Sequence, residues 1–265
     1  MCSEGTVDCS CAKRRGQRLS PTLVLLLFII AKLFEFSHGL AFATQQSSTQ
    51  TAGKDITCLF DDEAFKERIK KKLPLLFQIA EERSSRAGKI GMEVGTLREQ
   101  ILIAMLIYKF GRKAVDVNTP PNYPEVDVML FGKPISIKTV TVRSNATPTL
   151  KLVWTVDWLK VEEFVRGYEP RSDMLLVIIR WGGYGGLFAI PLSAQKDVFN
   201  KMGKESYLKL PQKGTNPRGI EISKEALSAL LKHHETRSVE IFWERKKGTE
   251  ELEPYSQWLA YWAEE

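Results

Sequence analysis

Cysteine and histidine are too few here to build a site. Of four cysteines in 265 residues, Cys2, Cys9 and Cys11 lie at the extreme N-terminus and only Cys58 is near the body of the chain. That excludes a disulfide framework and any zinc-ligand spacing in the folded part. His233 and His234 stand side by side at the end of a basic helical stretch, and the body has no further imidazole to complete a zinc site with them. Internal repeats are absent. The apolar run TLVLLLFIIAKLF (residues 22–34) is too short for a stable membrane span and carries Lys32.

Residues with hydrophobic side chains make up 43% of the chain, enough for a sizeable core in one large domain or two small ones. A formal net charge of +6 and a pI near 9.0 favour an anionic partner, nucleic acid or an acidic membrane surface. The basic stretch KRRGQR (13–18), the apolar run and Ala41 and Ala43 at A-x-A spacing together read as a targeting segment. A signal peptidase would cut after Ala43, giving secretion. Cleavage before Phe42 would instead leave a Ser/Thr-rich, acid-poor leader resembling the two-part presequences of algae with secondary plastids. A misassigned start codon is the third reading, and would leave the protein cytoplasmic. Residues 1–55 are thus expected to be a presequence or disordered leader, and 56–265 the functional domain.

Along the body, DDEAFKERIKKKLPLLFQIAEERSSRAG (61–88) has helical composition, acids early and bases late, with Pro74 expected to kink or split it. EVGTLREQILIAMLIYKFG (93–111) is the strongest helix: Leu97, Ile101, Ala104, Met105 and Tyr108 recur at helical spacing, and Gly111 is a stop. NTPPNYP is a loop. VDVML and ISIKTVTV are expected strands joined by a turn at FGKP, reaching Val142. A helix is predicted over 153–167. MLLVIIRW suits a central strand buried on both faces; WGGYGG reads as a turn and GLFAIPL as its partner strand. Further along come a short helix capped by Ser193, a short strand YLKLP, the loop QKGTNPRG, a helix capped by Ser223, the strand SVEIFWER and a last helix around EPYSQWLAYWAEE. The order predicts an α/β domain, a mixed β-sheet flanked by helices.

Strand alternation puts Asp127 opposite Val126 and Val128, and gives Ser136 and Lys138 a common face against Ile135 and Ile137. A polar face of this kind is common on hairpins. Here Asp127, Ser136 and Lys138 converge at one sheet edge, and Glu99 stands one helix and one loop upstream. Phosphodiester hydrolysis needs a divalent metal held by oxygen atoms, an activated water and a positive group near phosphorus. Two carboxylates, a backbone carbonyl and a lysine would supply them.

The run VDVMLFGKPISIKT (126–139) resembles the motif of the PD-(D/E)XK nuclease superfamily, in particular type II restriction endonucleases. In that family a helix acid precedes an Asp at a strand end, followed by a second acid, a spacer and a lysine on the next strand. Asp127 matches the Asp, Ser136 the second-acid position and Lys138 the lysine. SIKTVT is close to the D-I-K-T-T pattern of the EcoRV group, whose helix-acid interval is similar to that from Glu99 to Asp127. The body as a whole looks like the ThaI group of restriction enzymes. The resemblance implies a restriction-endonuclease-like core and a Mg²⁺-dependent, site-specific endodeoxyribonuclease acting on double-stranded DNA, with a homodimer supplying one site per strand. It implies Glu99, Asp127, Ser136 and Lys138 as the catalytic group. The metal would lie on Asp127, Glu99 and the Ile137 carbonyl. Ser136 departs from the family's acid, so Glu99, Glu93 or Glu125 must complete the site. A structure-selective repair or junction nuclease, or a non-catalytic DNA-binding protein with a degenerate site, would share these residues.

Glu93 and Glu99 also suit an ordinary helix start, and Arg98 reads as a surface or phosphate-facing base. Arg143, Ser144 and Asn145 follow the lysine strand where DNA would lie; Arg can read guanine and Asn adenine. Lys213, Asn216 and Arg218 sit in a loop able to grip phosphates or bases. Trp181 and Tyr184 could stack on bases, with core or edge packing the competing reading.

Overall fold

The computed structural model describes residues 54–246, apart from 87–88, 92, 119–124 and 144–145 and the side chains of 86–90. Residues 1–53 of the presumed leader, the final helix and Asn145 lie outside the described residues. In chain order the elements are a 3-10 turn at Ile56–Phe60, α1 (Glu63–Arg83), β1 (Ser85–Arg86), β2 (Lys89–Ile90), α2 (Val94–Phe110), β3 (Val115–Asp116), β4 (Val128–Leu130), β5 (Lys133–Thr141) and β6 (Leu150–Val153). Then follow α3 (Trp158–Gly167), β7 (Asp173–Ile179), β8 (Gly183–Ile190), α4 (Leu192–Met202), α5 (Lys204–Tyr207), β9 (Leu208–Lys209), β10 (Ile220–Ile222), α6 (Lys224–Lys232) and β11 (Arg237–Trp243).

The main sheet has the order β11-β8-β7-β5-β4-β3, with β5 and β7 parallel and the other pairs antiparallel. The expected mixed sheet is therefore present. All seven residues of β7 are buried, as a strand covered on both faces requires. Its side chains alternate: Leu175, Val177 and Ile179 enter one core with α1 and α2, and Met174, Leu176 and Ile178 enter the other. The second core includes residues of α3 to α6 and of the small sheet β6-β10-β9.

Several expectations change. Pro74 does not split its helix: α1 runs unbroken from Asp62, whose carboxylate caps the Phe65 amide at 3.0 Å. The lost hydrogen bond at Pro74 is offset by burial of Leu73, Pro74 and Phe77 along one face. In α2 the buried face is Arg98, Leu102 and Leu106, while Tyr108 is exposed. The turn of the central hairpin is only Phe131–Gly132, with Leu130 opposite Lys133. Both turn residues have positive φ, 51° and 77°, as a type I′ hairpin needs. Phenylalanine is costly there, and its ring is held edge-on against Phe110 at 5.1 Å.

The helix expected from 153 starts at Trp158, behind an Asp157 cap; Val153 belongs to β6. Gly183 to Gly186 are not a turn but the first half of β8, leaving Arg180–Gly182 as the connection. Gly185 is required there, because a Cβ would lie 2.0 Å from the Ile178 carbonyl oxygen. Pro191, not Ser193, occupies the N-cap of α4, whereas Ser223 caps α6 as expected. Among the described residues no helix is long and apolar enough to cross a membrane.

Candidate functional site

β4 and β5 part company at Asp127. Its amide still donates to the Ile135 carbonyl at 2.9 Å, but one step further along β5 the partner of the Ile137 amide is the Asp127 carboxylate, at 2.5 Å. The amide and carbonyl of one extended residue project from the same strand edge. The Ile137 carbonyl is therefore directed into the gap that Asp127 borders. Ile135 and Ile137 pack into the first core, which turns Ser136 and Lys138 to the opposite face, as the alternation predicts.

Glu99, half-buried on α2, lies within electrostatic reach of Asp127 and Lys138 at this gap. Burial lifts its carboxyl above the usual range, the charge of Asp127 lifts it further, and Lys138 opposes both. Burial also raises Asp127, against the Ile137 amide, Lys138 and Ser136, all of which favour its ionised form. Glu99, Asp127 and Lys138 are thus one electrostatic unit. Glu125 is raised by burial and drawn down by Lys138 and Arg171. It borders a groove of about 370 Å³ with Phe164, Tyr168 and Arg171. Glu93 is exposed at the start of α2.

Ser136 is buried, and its hydroxyl lies beside Asp127, where it favours the carboxylate charge. No three His, Cys, Asp or Glu side chains among the described residues gather into a ready metal cage. A Mg²⁺ ion that keeps several of its waters does not need one. Two carboxylates, one of which raises the proton affinity of the other, beside the carbonyl edge of Ile137 are a donor set that fits such an ion.

The other marked residues lie apart from this gap in the contacts described. Arg143 is exposed just beyond β5. Asn216 and Arg218 are exposed on the β9–β10 loop and line a concavity of about 580 Å³, while Lys213 lines a neighbouring one with Trp158 and Arg166. The Trp158 indole donates to the Thr215 carbonyl at 3.1 Å, tying this loop to α3. Arg98 is a correction: it is no surface base but is buried against Glu81, itself 2% exposed. Trp181 donates to the same carboxylate at 2.9 Å and meets Trp243 edge-on, so it serves packing. Tyr184 is exposed and packs against Phe242 across β8 and β11. His233 bonds Asp197 at 3.0 Å. No local pattern signals the Glu81 cluster, whose members are brought together from 81, 98, 181 and 245 only by the fold.

A solved structure of a restriction endonuclease in complex with substrate DNA is similar, with 45% sequence identity and a TM-score of 0.71, covering 78% of this chain and 98% of that one. The family model described as restriction endonuclease ThaI matches residues 59–264, and the chain belongs to that family. The search of curated proteins gave no match.

Proposed function

We propose that this type II, site-specific DNA endonuclease hydrolyses double-stranded DNA with Mg²⁺ at a centre of the PD-(D/E)XK kind, formed by Glu99, Asp127, the Ile137 carbonyl and Lys138. The observation that carries this reading is the Asp127 carboxylate closing the gap between β4 and β5 on the Ile137 amide, with Glu99 and Lys138 within its electrostatic reach.

The order of roles follows from charge. Asp127 and Glu99 are carboxylates whose ionised forms are costly together, so they gain most from a shared cation; they and the Ile137 carbonyl would hold the metal. When bound, Mg²⁺ would lower the pKa of a coordinated water and neutralise charge on the phosphate. Lys138 is the cation next to both acids. It orients the attacking water and faces the negative charge that grows on phosphorus as the new P–O bond forms and the bond to the leaving oxygen breaks. Ser136 fills the family's second-acid position with a neutral group and contributes little. Glu125, whose carboxyl Lys138 and Arg171 draw down, is a further negative charge within reach of Lys138.

Cutting both strands of a palindrome calls for two such sites related by a two-fold axis, hence a homodimer. Arg143, Asn145, Lys213, Asn216 and Arg218 are the proposed DNA contacts; the exposure of the four described ones and the net charge of +6 support that role. Asp127→Ala and Lys138→Ala are each expected to abolish cleavage while gel-shift binding of DNA persists. Full cleavage by either variant would end this assignment.

A further inference from the structure

Helix α2 carries Glu99 but begins without a side-chain cap, since Glu93 at its N-cap makes no capping hydrogen bond. What holds its first turns is Arg98. The guanidinium is 6% exposed, pairs with the Glu81 carboxylate of α1, and lies over the Phe77 ring at 5.5 Å. Glu81 is held in turn by Arg245, just beyond β11, and by the Trp181 indole at the β7–β8 turn; Arg245 also stacks on Trp181 at 4.2 Å. Four separate parts of the fold therefore meet on one carboxylate. Successive residues of a helix point about 100° apart. When Arg98 is locked downward into this cluster, the direction of Glu99 around the helix axis is fixed.

We propose that Arg98, clamped by Glu81, is a positioning residue for the metal centre: it sets the rotation and depth of α2 so that Glu99 faces Asp127 and Lys138. This rests on the reading of Glu99 as a metal-holding carboxylate. A buried ion pair gives little net stability against an apolar pair of the same size, and its better-attested use is to specify one arrangement. Residues that orient a ligand typically change metal affinity or activity by about 10–100-fold when lost.

The test is a titration of Mn²⁺ into the full metal-free chain, read as loss of the free-ion electron paramagnetic resonance signal, with DNA cleavage measured alongside. Arg98→Met, Glu99→Gln and their combination form a cycle. Because Arg98→Met leaves only Arg245 as the ion-pair partner of the buried Glu81, the paired variant Glu81→Leu/Arg98→Met, which removes both buried charges, is run in parallel to guard against unfolding; Arg98→Lys serves as the conservative rescue. Removing a cation would by itself strengthen Mn²⁺ binding, so a weakening reports geometry. The expected result is an affinity about tenfold weaker in Arg98→Met and in the paired variant, partly restored in Arg98→Lys, with no further loss when Glu99→Gln is already present. Unchanged affinity in the folded paired variant, or an equal loss with and without Glu99, would overturn the positioning role while leaving Glu99 as a ligand. If Glu99→Gln alone leaves Mn²⁺ binding intact, the reading of Glu99 fails and this inference falls with it.

Discussion

Replacing Ser136 by alanine separates what this fold needs from what the family motif suggests. The Ser136 hydroxyl is buried beside the Asp127 carboxylate and favours its charge. A hydroxyl that serves a buried carboxylate contributes about 1 kcal/mol, and removing it leaves only a void smaller than a methyl group. The net expectation for Ser136→Ala is a loss of about 1 kcal/mol, or roughly 2–4 °C in melting temperature for a domain of this size. Loss of the weak help that the hydroxyl gives the Asp127 carboxylate would raise that group slightly further, so cleavage should fall by less than about tenfold, far below the loss expected from removing a metal-holding acid. Thermal unfolding of the metal-free chain and initial cleavage rates at saturating Mg²⁺ are the two assays. A gain in stability, or cleavage as damaged as in Asp127→Ala, would refute the role of the hydroxyl as a minor support of the Asp127 carboxylate.

Glu81→Gln leaves Arg98 buried without its carboxylate, and is expected to cost about 3–5 kcal/mol in urea unfolding; a loss under about 1 kcal/mol would mean that the pair is not as dry as its burial indicates. Glu99 and Asp127 are both raised above the ordinary carboxylate range near ~4. For a raised group, stability is fully present below the unfolded pKa and is lost as pH rises through the folded one. Asp127→Asn should therefore stabilise the metal-free chain at neutral pH, with the advantage shrinking through the window above ~4 and vanishing below it; a gain that persists at low pH would contradict the assignment. Cleavage by the parent chain should rise with pH through the same window, as the two carboxylates lose the protons that compete with the metal.

The parts of the fold that sequence foretold are those where one local rule decides. β7 is apolar throughout because it is covered on both faces, and Ser223 caps α6 because its hydroxyl reaches the Ala226 amide at 3.1 Å. Alternation alone set Ser136 and Lys138 on one face of β5. Where long-range packing decides, local signals misled. Pro74 is carried through α1 by the burial around it. Trp154 and Val156 imitate a helical pattern but are exposed ahead of the Asp157 cap. Arg98 looked like a surface base because its partner Glu81 lies on another helix, and no spacing rule links them. In the candidate site, the approach of Lys138 to Asp127 was legible from the hairpin and the motif. The use of the Asp127 carboxylate to close the strand gap on the Ile137 amide was not, because it depends on where β4 departs from β5.

The most direct test of the account is incubation of the full chain with unmethylated phage DNA in Mg²⁺, and again in EDTA. Discrete fragments that form with Mg²⁺, fail to form with EDTA and disappear in both Asp127→Ala and Lys138→Ala are the predicted result. Fragments that persist in EDTA, or in either variant, would contradict a metal centre at the gap between β4 and β5.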